Sequence, residues 1–334
     1  MKSRIANLKL HLVTGGAGFV GSQLVRRLIN SGYRVRVLDN QFRGSFDRLK
    51  DLEERIDFFQ ADIRDRDSVL KATEDVKCIW HLASLNGTRY FYTEPDLVLD
   101  VGVRGFLNVL DACIEKKVPE LMLASSSEVY QTPPQIPTNE SVPMSIPDPL
   151  NPRYSYATAK IASEIMALNY GRKYFKRVII FRPHNVYGPD MGWEHVIPQM
   201  VLRMRTICKK TNKSQIKFPI QGTGKETRAF VFIDDFIDGL MILLERGEHL
   251  GIYNIGTTEE VTMEHLAKET GKYFGREIEI VPGEPAKGGT PRRCPDISKI
   301  SALGYRPKCK LSNVLPLVIK WYDENAEKAP EVKE

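Results

Sequence analysis

The sequence predicts an α/β fold: a doubly wound parallel sheet with helices on both faces, followed by a smaller α/β lobe. Three observations predict it. Short β-rich runs alternate with longer helical patterns through the first half of the chain, as parallel strands joined by crossover helices do. A turn rich in glycine, Gly15 to Gly21, separates the first apolar run from the first amphipathic one. After about residue 185 the alternation gives way to a loop, a helix and shorter mixed pieces.

The first strand runs from Leu8 to Val13. Gly15, Gly18 and Gly21 follow at intervals of three. Gly15 allows a sharp turn, Gly18 lets the backbone approach a phosphate, and Gly21 lets the helix pack close to the strand. The free N–H groups at that helix N-terminus attract an anion. This is the head of a Rossmann-type sheet that binds a dinucleotide, a structural glycine turn being the alternative. Val20, Leu24, Leu28 and Ile29 share a helix face, and Asn30-Ser31-Gly32 ends it. The second strand, Arg34 to Leu38, stops at Asp39. A carboxylate there accepts the adenosine ribose hydroxyls and repels a 2′-phosphate, which favours NAD; Arg43 keeps NADP as the minority option.

Further strands are expected at Ile56 to Gln60, Cys78 to Leu82, Leu121 to Ser125 and Val178 to Phe181, with helices at Asp67 to Thr73 and Leu97 to Lys117. Asp62 follows the third strand, where it meets the adenine or serves as a turn residue. Residues 131–153 are rich in proline and polar, an irregular loop. The lobe opens with a loop carrying Trp193 and His195, then a helix to about Cys208. The expected division is a cofactor domain over 1–185 with strand and helix returns near 228–255, a mostly substrate-binding lobe over 186–324, and a flexible charged tail over 325–334.

The bulk properties narrow the class. A chain of 334 residues, 42% hydrophobic and 27% charged, has ample material for a globular core. No apolar run approaches the roughly 20 residues of a membrane span, and Met1-Lys2-Ser3-Arg4 leads into the first strand without an apolar leader. The five cysteines are scattered, with no metal spacing and no paired motif, so a reduced, cytoplasmic setting and no metal are expected. The net charge of +6 includes a small cluster, Lys209, Lys210 and Lys213, with no aromatic interleaving. It reads as a solvated loop rather than a nucleic-acid surface. No nucleic-acid or membrane partner is expected.

Two segments carry chemistry. In Tyr154 to Glu164, Tyr156 and Lys160 are four apart and share a helix face. A phenol with a pKa of about 10 is a poor base at neutral pH. A neighbouring ammonium and a positively charged nicotinamide both favour the phenolate, which then takes a hydroxyl proton while the cofactor takes the hydride. Lys160 is also placed to hold the nicotinamide ribose. Tyr154 is a rival whose partner four residues on, Thr158, supplies no charge. Ser126, at the end of the fifth strand within Ser125 to Tyr130, is placed to hydrogen-bond the substrate oxygen that Tyr156 deprotonates; a structural serine turn is the alternative.

With these pieces the chain resembles the NAD-dependent nucleotide-sugar epimerase/dehydratase family of the extended short-chain dehydrogenase/reductase superfamily. The matching residues are Thr14 to Gly21, Asp39, Asp62, His81-Leu82-Ala83, Ser125 to Tyr130, Tyr156 to Lys160, Arg182 with Asn185 to Pro189, Gly224 with Arg228-Ala229-Phe230 and Asp235, Tyr253 to Gly256, and Pro295 to Lys299 ahead of Gly304-Tyr305. The resemblance implies cofactor contacts from Gly15, Gly18, Phe19, Val20, Asp39, Asn40, Asp62, Ile63, Leu82, Ala83, Tyr156 and Lys160. It implies Ser126, Tyr156 and Lys160 as catalytic residues. Substrate contacts fall to Ser126, Ser127, Asn185 and Arg228, and to Arg293, with Arg292 an equal candidate. A homodimer is expected through Val103, Leu107 and Leu110 with Ala162, Ile165 and Leu168, core packing being the alternative for these positions.

The chain departs from the family pattern at four places. Gly102 stands where Asn is common, Gln131 where glycine is usual, and His184 where an aromatic is frequent; the loop Met191 to His195 matches no known sugar pocket. Glu128 bears on the reaction. A Ser-Glu pair before Val-Tyr resembles 4,6-dehydratases and glucuronate decarboxylases, where a carboxylate near C5 relays a proton, yet Ser127 replaces the Asp of one dehydratase group. Glu128 is thus a candidate second acid/base, or else it orders the loop. The expected function is C4 oxidation of a nucleoside-diphosphate sugar to a 4-keto intermediate, followed by epimerisation or dehydration. The alternatives are decarboxylation of a UDP-hexuronate, an NADP reductase with exchangeable cofactor, and a non-catalytic dinucleotide sensor.

Overall fold

The computed structural model describes residues 9–285 and 288–330. The expected start of the first strand at Leu8, the N-terminal segment for which no leader is expected, and the end of the tail lie outside these residues.

Seven strands form one parallel sheet: β1 (Leu10–Thr14), β2 (Arg34–Asp39), β3 (Ile56–Gln60), β4 (Cys78–His81), β5 (Glu120–Ala124), β6 (Arg177–Pro183) and, after the short β7 (Val186–Tyr187), β8 (Gln215–Pro219), β9 (Thr227–Ala229) and β10 (Val231–Phe232), the edge strand β11 (Gly251–Ile255). Their order is β11-β6-β5-β4-β1-β2-β3. The winding reverses between β1 and β4, and a crevice opens at the carboxyl ends of strands at such a switch point. Side chains alternate across the sheet. Val13, Trp80, Met122 and Phe181 face one core; Leu12, Ile79, Leu123 and Ile180 face the other. Because both faces are covered, the strands read as continuous apolar runs.

Helices α1 (Phe19–Asn30), α2 (Arg66–Ala72), α3 (Thr88–Thr93), α4 (Pro95–Leu99), α5 (Phe106–Glu115) and α6 (Ser155–Tyr174) belong to the first half. The single helix expected from Leu97 to Lys117 is broken: Asp100–Gly105 is π-helical. Two glycines explain the break. A Cβ on Gly102 would stand 2.6 Å from the Ala159 Cβ, and one on Gly105 2.5 Å from the Ile63 Cδ1. The wider turn therefore presses bare backbone against α6 on one side and the β3 loop on the other.

The lobe contains α7 (Val196–Lys210), α8 (Ile233–Arg246), β12 (Glu260–Thr262), α9 (Met263–Tyr273), β13 (Glu277–Val281), β14 (Arg292–Arg293), α10 (Ser298–Ala302) and α11 (Leu311–Glu324). Its strands make two small sheets, β12-β9-β14 and β13-β8. Helix α8 packs on the large sheet through Phe236, Leu240 and Leu243, so the later chain returns to the first domain before completing the lobe. Lys209, Lys210 and Lys213 are exposed, the first two at the C-terminal turn of α7, where cations are favoured. In the tail, Ala326–Lys328 forms a 3-10 turn. Among the described residues no helix is long and apolar enough to cross a membrane.

Candidate active site

Gly15 adopts φ +73°, and its N–H donates to the Leu38 carbonyl at 2.8 Å. A Cβ there would lie 2.8 Å from the Ala83 amide nitrogen, and one on Gly21 would collide with the Gly15 carbonyl. Gly18 caps α1 without a side chain, and the first turn has no acidic residue. Bare backbone and open amides at a helix N-terminus make a cradle for the phosphates of a dinucleotide. Asp39 is buried; its carboxylate accepts the Ala17 N–H at 2.9 Å and the Gln41 N–H at 2.7 Å. Burial pushes its pKa up against these bonds. It shares a cleft with Gly15, Gly18, Asn40, Asp62, Ile63, Leu82 and Ala83. Asp62 is drawn into a fork with Arg64, at 2.9 and 3.0 Å, and accepts from Asn40 at 2.9 Å.

A second cavity adjoins this cleft. Phe19, Val20, Leu82, Ser126, Ser127, Glu128, Tyr156, Lys160, Asn185 and Arg293 all line it. Tyr156 lies in the first turn of α6, with its ring stacked on Phe91 at 5.1 Å. Burial pushes its phenol up to about 12, against hydrogen bonding by Ser126 and Ser84. Lys160, one turn on, is buried and donates to the Ala124 carbonyl at 2.8 Å; its Nζ is 5.6 Å from the Tyr156 ring centre. Desolvation lowers its pKa to about 8, opposed by Glu164. Tyr154 is buried, but the second cavity is lined by Tyr156 and not by Tyr154.

Ser126 caps the turn Ser127–Tyr130, its hydroxyl accepting the Glu128 N–H at 3.1 Å. Glu128 pairs with Arg293 at 2.6 Å. Burial alone would raise the carboxyl, but Arg293, backed by Arg153 and Arg228, holds it below the usual range. Gln131, which stands where glycine is usual, has φ +50°, in the region glycine favours. Its Nε2 donates to the Glu128 carbonyl at 2.6 Å, tying the strained residue to the turn it closes.

A third cavity continues outward, lined by Asn185, Arg203, Arg228 and Thr290. Asn185 also adopts a left-handed φ, +43°, and its side chain donates to the Ala229 carbonyl at 3.1 Å. Arg228 is held by carbonyls, the nearer being Thr227 at 2.7 Å; desolvation lowers its pKa to about 10, so it stays charged at neutral pH. Arg292 instead pairs with Glu260 on the surface, at 2.6 Å, and lines none of these cavities, which separates it from Arg293. His184 is buried, neutral and bonded to Asn254 at 3.1 Å.

The loop Met191 to His195 lies where the second and third cavities meet, with Glu194 and His195 in both walls. Tyr322 anchors it, accepting the Met191 N–H at 2.7 Å and donating to the Gly192 carbonyl at 3.0 Å. Sequence reasoning missed Phe91, Ser84 and Arg153. Phe91 and Ser84 precede Tyr156 by more than sixty residues and carry no local signal. Arg153 had one, a lone cation three residues before the tyrosine.

Residues 11–256 match the NAD dependent epimerase/dehydratase family. The chain is 33% identical over 311 residues to UDP-glucuronic acid decarboxylase 4 of Arabidopsis thaliana, an alignment covering 92% of this chain and 67% of the relative. Its fold is similar to dTDP-glucose 4,6-dehydratase from Streptomyces venezuelae, solved with NAD bound, with a TM-score of 0.83 and 29% identity over 96% of this chain and 98% of that one. It is equally similar to UDP-glucose 4-epimerase from Thermotoga maritima, solved with UDP-glucose, with a TM-score of 0.83 and 27% identity over 95% and 99%. The cradle, the clustered serine, tyrosine and lysine, and these matches place the chain in the NAD-dependent epimerase/dehydratase family.

Proposed function

We propose that this enzyme oxidises C4 of a nucleoside-diphosphate sugar and resolves the 4-keto sugar by epimerisation or dehydration. The observation that carries the reading is the meeting of Ser126, Tyr156 and Lys160 in the wall of one cavity between the glycine cradle and Arg228. Gly15, Gly18, Phe19 and Val20 hold the pyrophosphate of NAD, Asp39 and Asn40 its adenosine ribose, Asp62 and Ile63 its adenine, with Leu82 and Ala83 behind. When bound, NAD supplies the redox chemistry at C4 and a positive charge beside Tyr156. The phenol of Tyr156 takes the C4 hydroxyl proton, Ser126 hydrogen-bonds the same oxygen, and the Lys160 ammonium stabilises the phenolate. Asn185 and Arg228 orient the diphosphate, where a guanidinium fork suits phosphate oxygens.

The fate of the ketone turns on Glu128. A carboxylate held below its ordinary pKa by Arg293 is a weak base. That favours outcomes needing no strong base at C5. Epimerisation is one. Loss of CO₂ from a 4-keto hexuronate, which also needs no base at C5, is the second reading, favoured by the same weak basicity of Glu128.

Incubation with UDP-, GDP-, CDP- and dTDP-sugars tests the function. Loss of water, loss of CO₂ or an isomer seen by NMR identifies the outcome, and no turnover with any sugar overturns the reading. Tyr156→Phe is expected to cut kcat by about 10²–10⁴, with NAD still retained. Unchanged biological function of that variant would instead favour a dinucleotide sensor.

A homodimer is the proposed assembly. Val103, Leu107, Ala162 and Leu168 are half-buried and Ile165 is 48% exposed, leaving an apolar strip on α6 and the segment beside it. Leu110, expected on the same face, is fully buried in the core and drops out. Ile165→Glu is expected to give a monomer by light scattering.

A further inference from the structure

The cavity around Tyr156 holds one more guanidinium than its own anions account for. Arg153, in the turn Pro152–Tyr154 that leads into α6, lines this cavity. Its Nε is buried without a partner. Among the described residues its guanidinium makes no hydrogen bond and no ion pair, although it adds to the field that keeps Glu128 ionised.

The acidic side chains on the cavity walls are already matched. Glu128 pairs with Arg293 at 2.6 Å, and Glu194 with Arg43 at 3.3 Å. Glu226 accepts the amides of Thr223 at 2.9 Å and Gly224 at 2.8 Å. Lys160 is turned onto the Ala124 carbonyl. Two further arginines, Arg203 and Arg228, stand in the outer cavity and, among the described residues, have no acidic partner. Their two charges match the two negative charges of a nucleoside diphosphate. Arg153 lines the inner cavity with Tyr156 and is absent from the outer wall. Arg153 is half-buried, with its Nε shielded and unpartnered, and a guanidinium so placed gains most from an anion that a ligand brings. The diphosphate is provided for outside, so the missing anion belongs to the sugar.

We propose that Arg153 binds a carboxylate carried by the sugar, which makes the substrate class a nucleoside-diphosphate hexuronate. The assignment rests on the nucleotide-sugar reading above and narrows it. It suits decarboxylation and equally a 4-epimerisation that keeps the acid.

The test uses the NAD-loaded enzyme, with UDP-glucuronate, UDP-glucose and UDP as probes in calorimetric titrations. Wild type is expected to bind UDP-glucuronate at least tenfold tighter than UDP-glucose. Arg153→Gln is expected to erase that preference, weakening UDP-glucuronate about tenfold and changing the other two less than twofold; Arg153→Lys restores part of it. Equal weakening of all three probes makes Arg153 a diphosphate contact and overturns the proposal. So does an unchanged affinity for UDP-glucuronate. Should Arg153→Gln fail to fold, the wild-type preference decides alone, and a preference for UDP-glucose sinks the assignment. Turnover restricted to neutral nucleotide sugars leaves C4 oxidation standing while removing the hexuronate.

Discussion

Tyr156 and Lys160 are perturbed in opposite directions by one cause, their removal from water. The phenol sits at about 12 and the ammonium at about 8, so both are pushed toward their neutral forms. The chain therefore does not ionise Tyr156 unaided, and it holds Lys160 charged at neutral pH with little margin. As pH rises through about 8 the folded protein loses the Lys160 proton, and kcat/KM for the free enzyme is expected to fall there. The unfolded chain keeps that proton to about 10.5. Between these values it binds more protons than the folded one, so this lysine makes stability rise with pH while activity falls. A pH–rate profile set beside melting temperatures at the same pH values checks both signs. Activity constant to pH 10 would show that the Lys160 charge is dispensable.

At the scale of elements, the sequence was legible where a pattern is local. The glycine spacing, the alternating apolar strands and a tyrosine and lysine four apart each express a single element's geometry. The stretch at Gly102 was not legible, because its geometry is dictated by a partner helix more than fifty residues away. The sequence marks Gly102 only as an unusual residue; in the structure it is the point where the π-helical segment meets Ala159, the residue before Lys160. The Ser163 hydroxyl reaches the Gly102 carbonyl at 3.2 Å, adding a polar tie to the contact. Gly102→Ala is expected to force the segment away from α6, destabilising the protein by about 1–3 kcal/mol and lowering kcat more than it changes KM. Denaturant unfolding together with steady-state kinetics measures the two effects; full activity would mean that α6 absorbs the methyl group without moving Tyr156. The Arg153 cavity was illegible for a related reason: its walls come from residues 19–20, segments 82–91, 124–128, 153–160 and 181–195, and residues 236 and 293.

Across the whole molecule, a buried polar chain connects α6 to the segment bearing Arg293. Glu164 on α6 accepts from Ser125 and from Arg182 at 2.6 and 2.8 Å; Arg182 reaches the Tyr130 hydroxyl at 2.6 Å, and Tyr130 bonds Asn254 at 2.9 Å. Asn254 then donates to the carbonyls of Thr138, at 2.9 Å, and Asp296. Glu164 and Arg182 are 0% and 2% exposed, so Glu164→Gln strands a buried guanidinium. The expected cost is about 3–5 kcal/mol, read as a fall in melting temperature; a change under 1 kcal/mol would mean that Tyr130 and the nearby carbonyls suffice for Arg182.

Beside the cleft, ion pairs that bear on cofactor retention join residues 43–48 to the 190–195 loop. Arg48 forks onto Asp190 at 2.7 and 2.8 Å while also donating to the Ala17 carbonyl in the glycine turn at 3.2 Å. Arg43, in the wall of the cofactor cleft, pairs with Glu194 at 3.3 Å and lies over the Tyr90 ring. The 190–195 loop is thereby fastened to the wall of the cleft, with Tyr322 holding its other side. An enzyme that uses one NAD as both oxidant and reductant within a turnover has no need to release it, and a fastened loop suits that. Partly exposed ion pairs contribute about 1 kcal/mol each, or roughly fivefold in a rate. Arg48→Ala is therefore expected to speed NAD loss about fivefold, and the double variant with Arg43→Ala more, with little change in melting temperature of the NAD-free protein. Cofactor remaining after repeated desalting, followed by its absorbance, measures this. Equal retention by wild type and the double variant would assign the loop to the sugar alone.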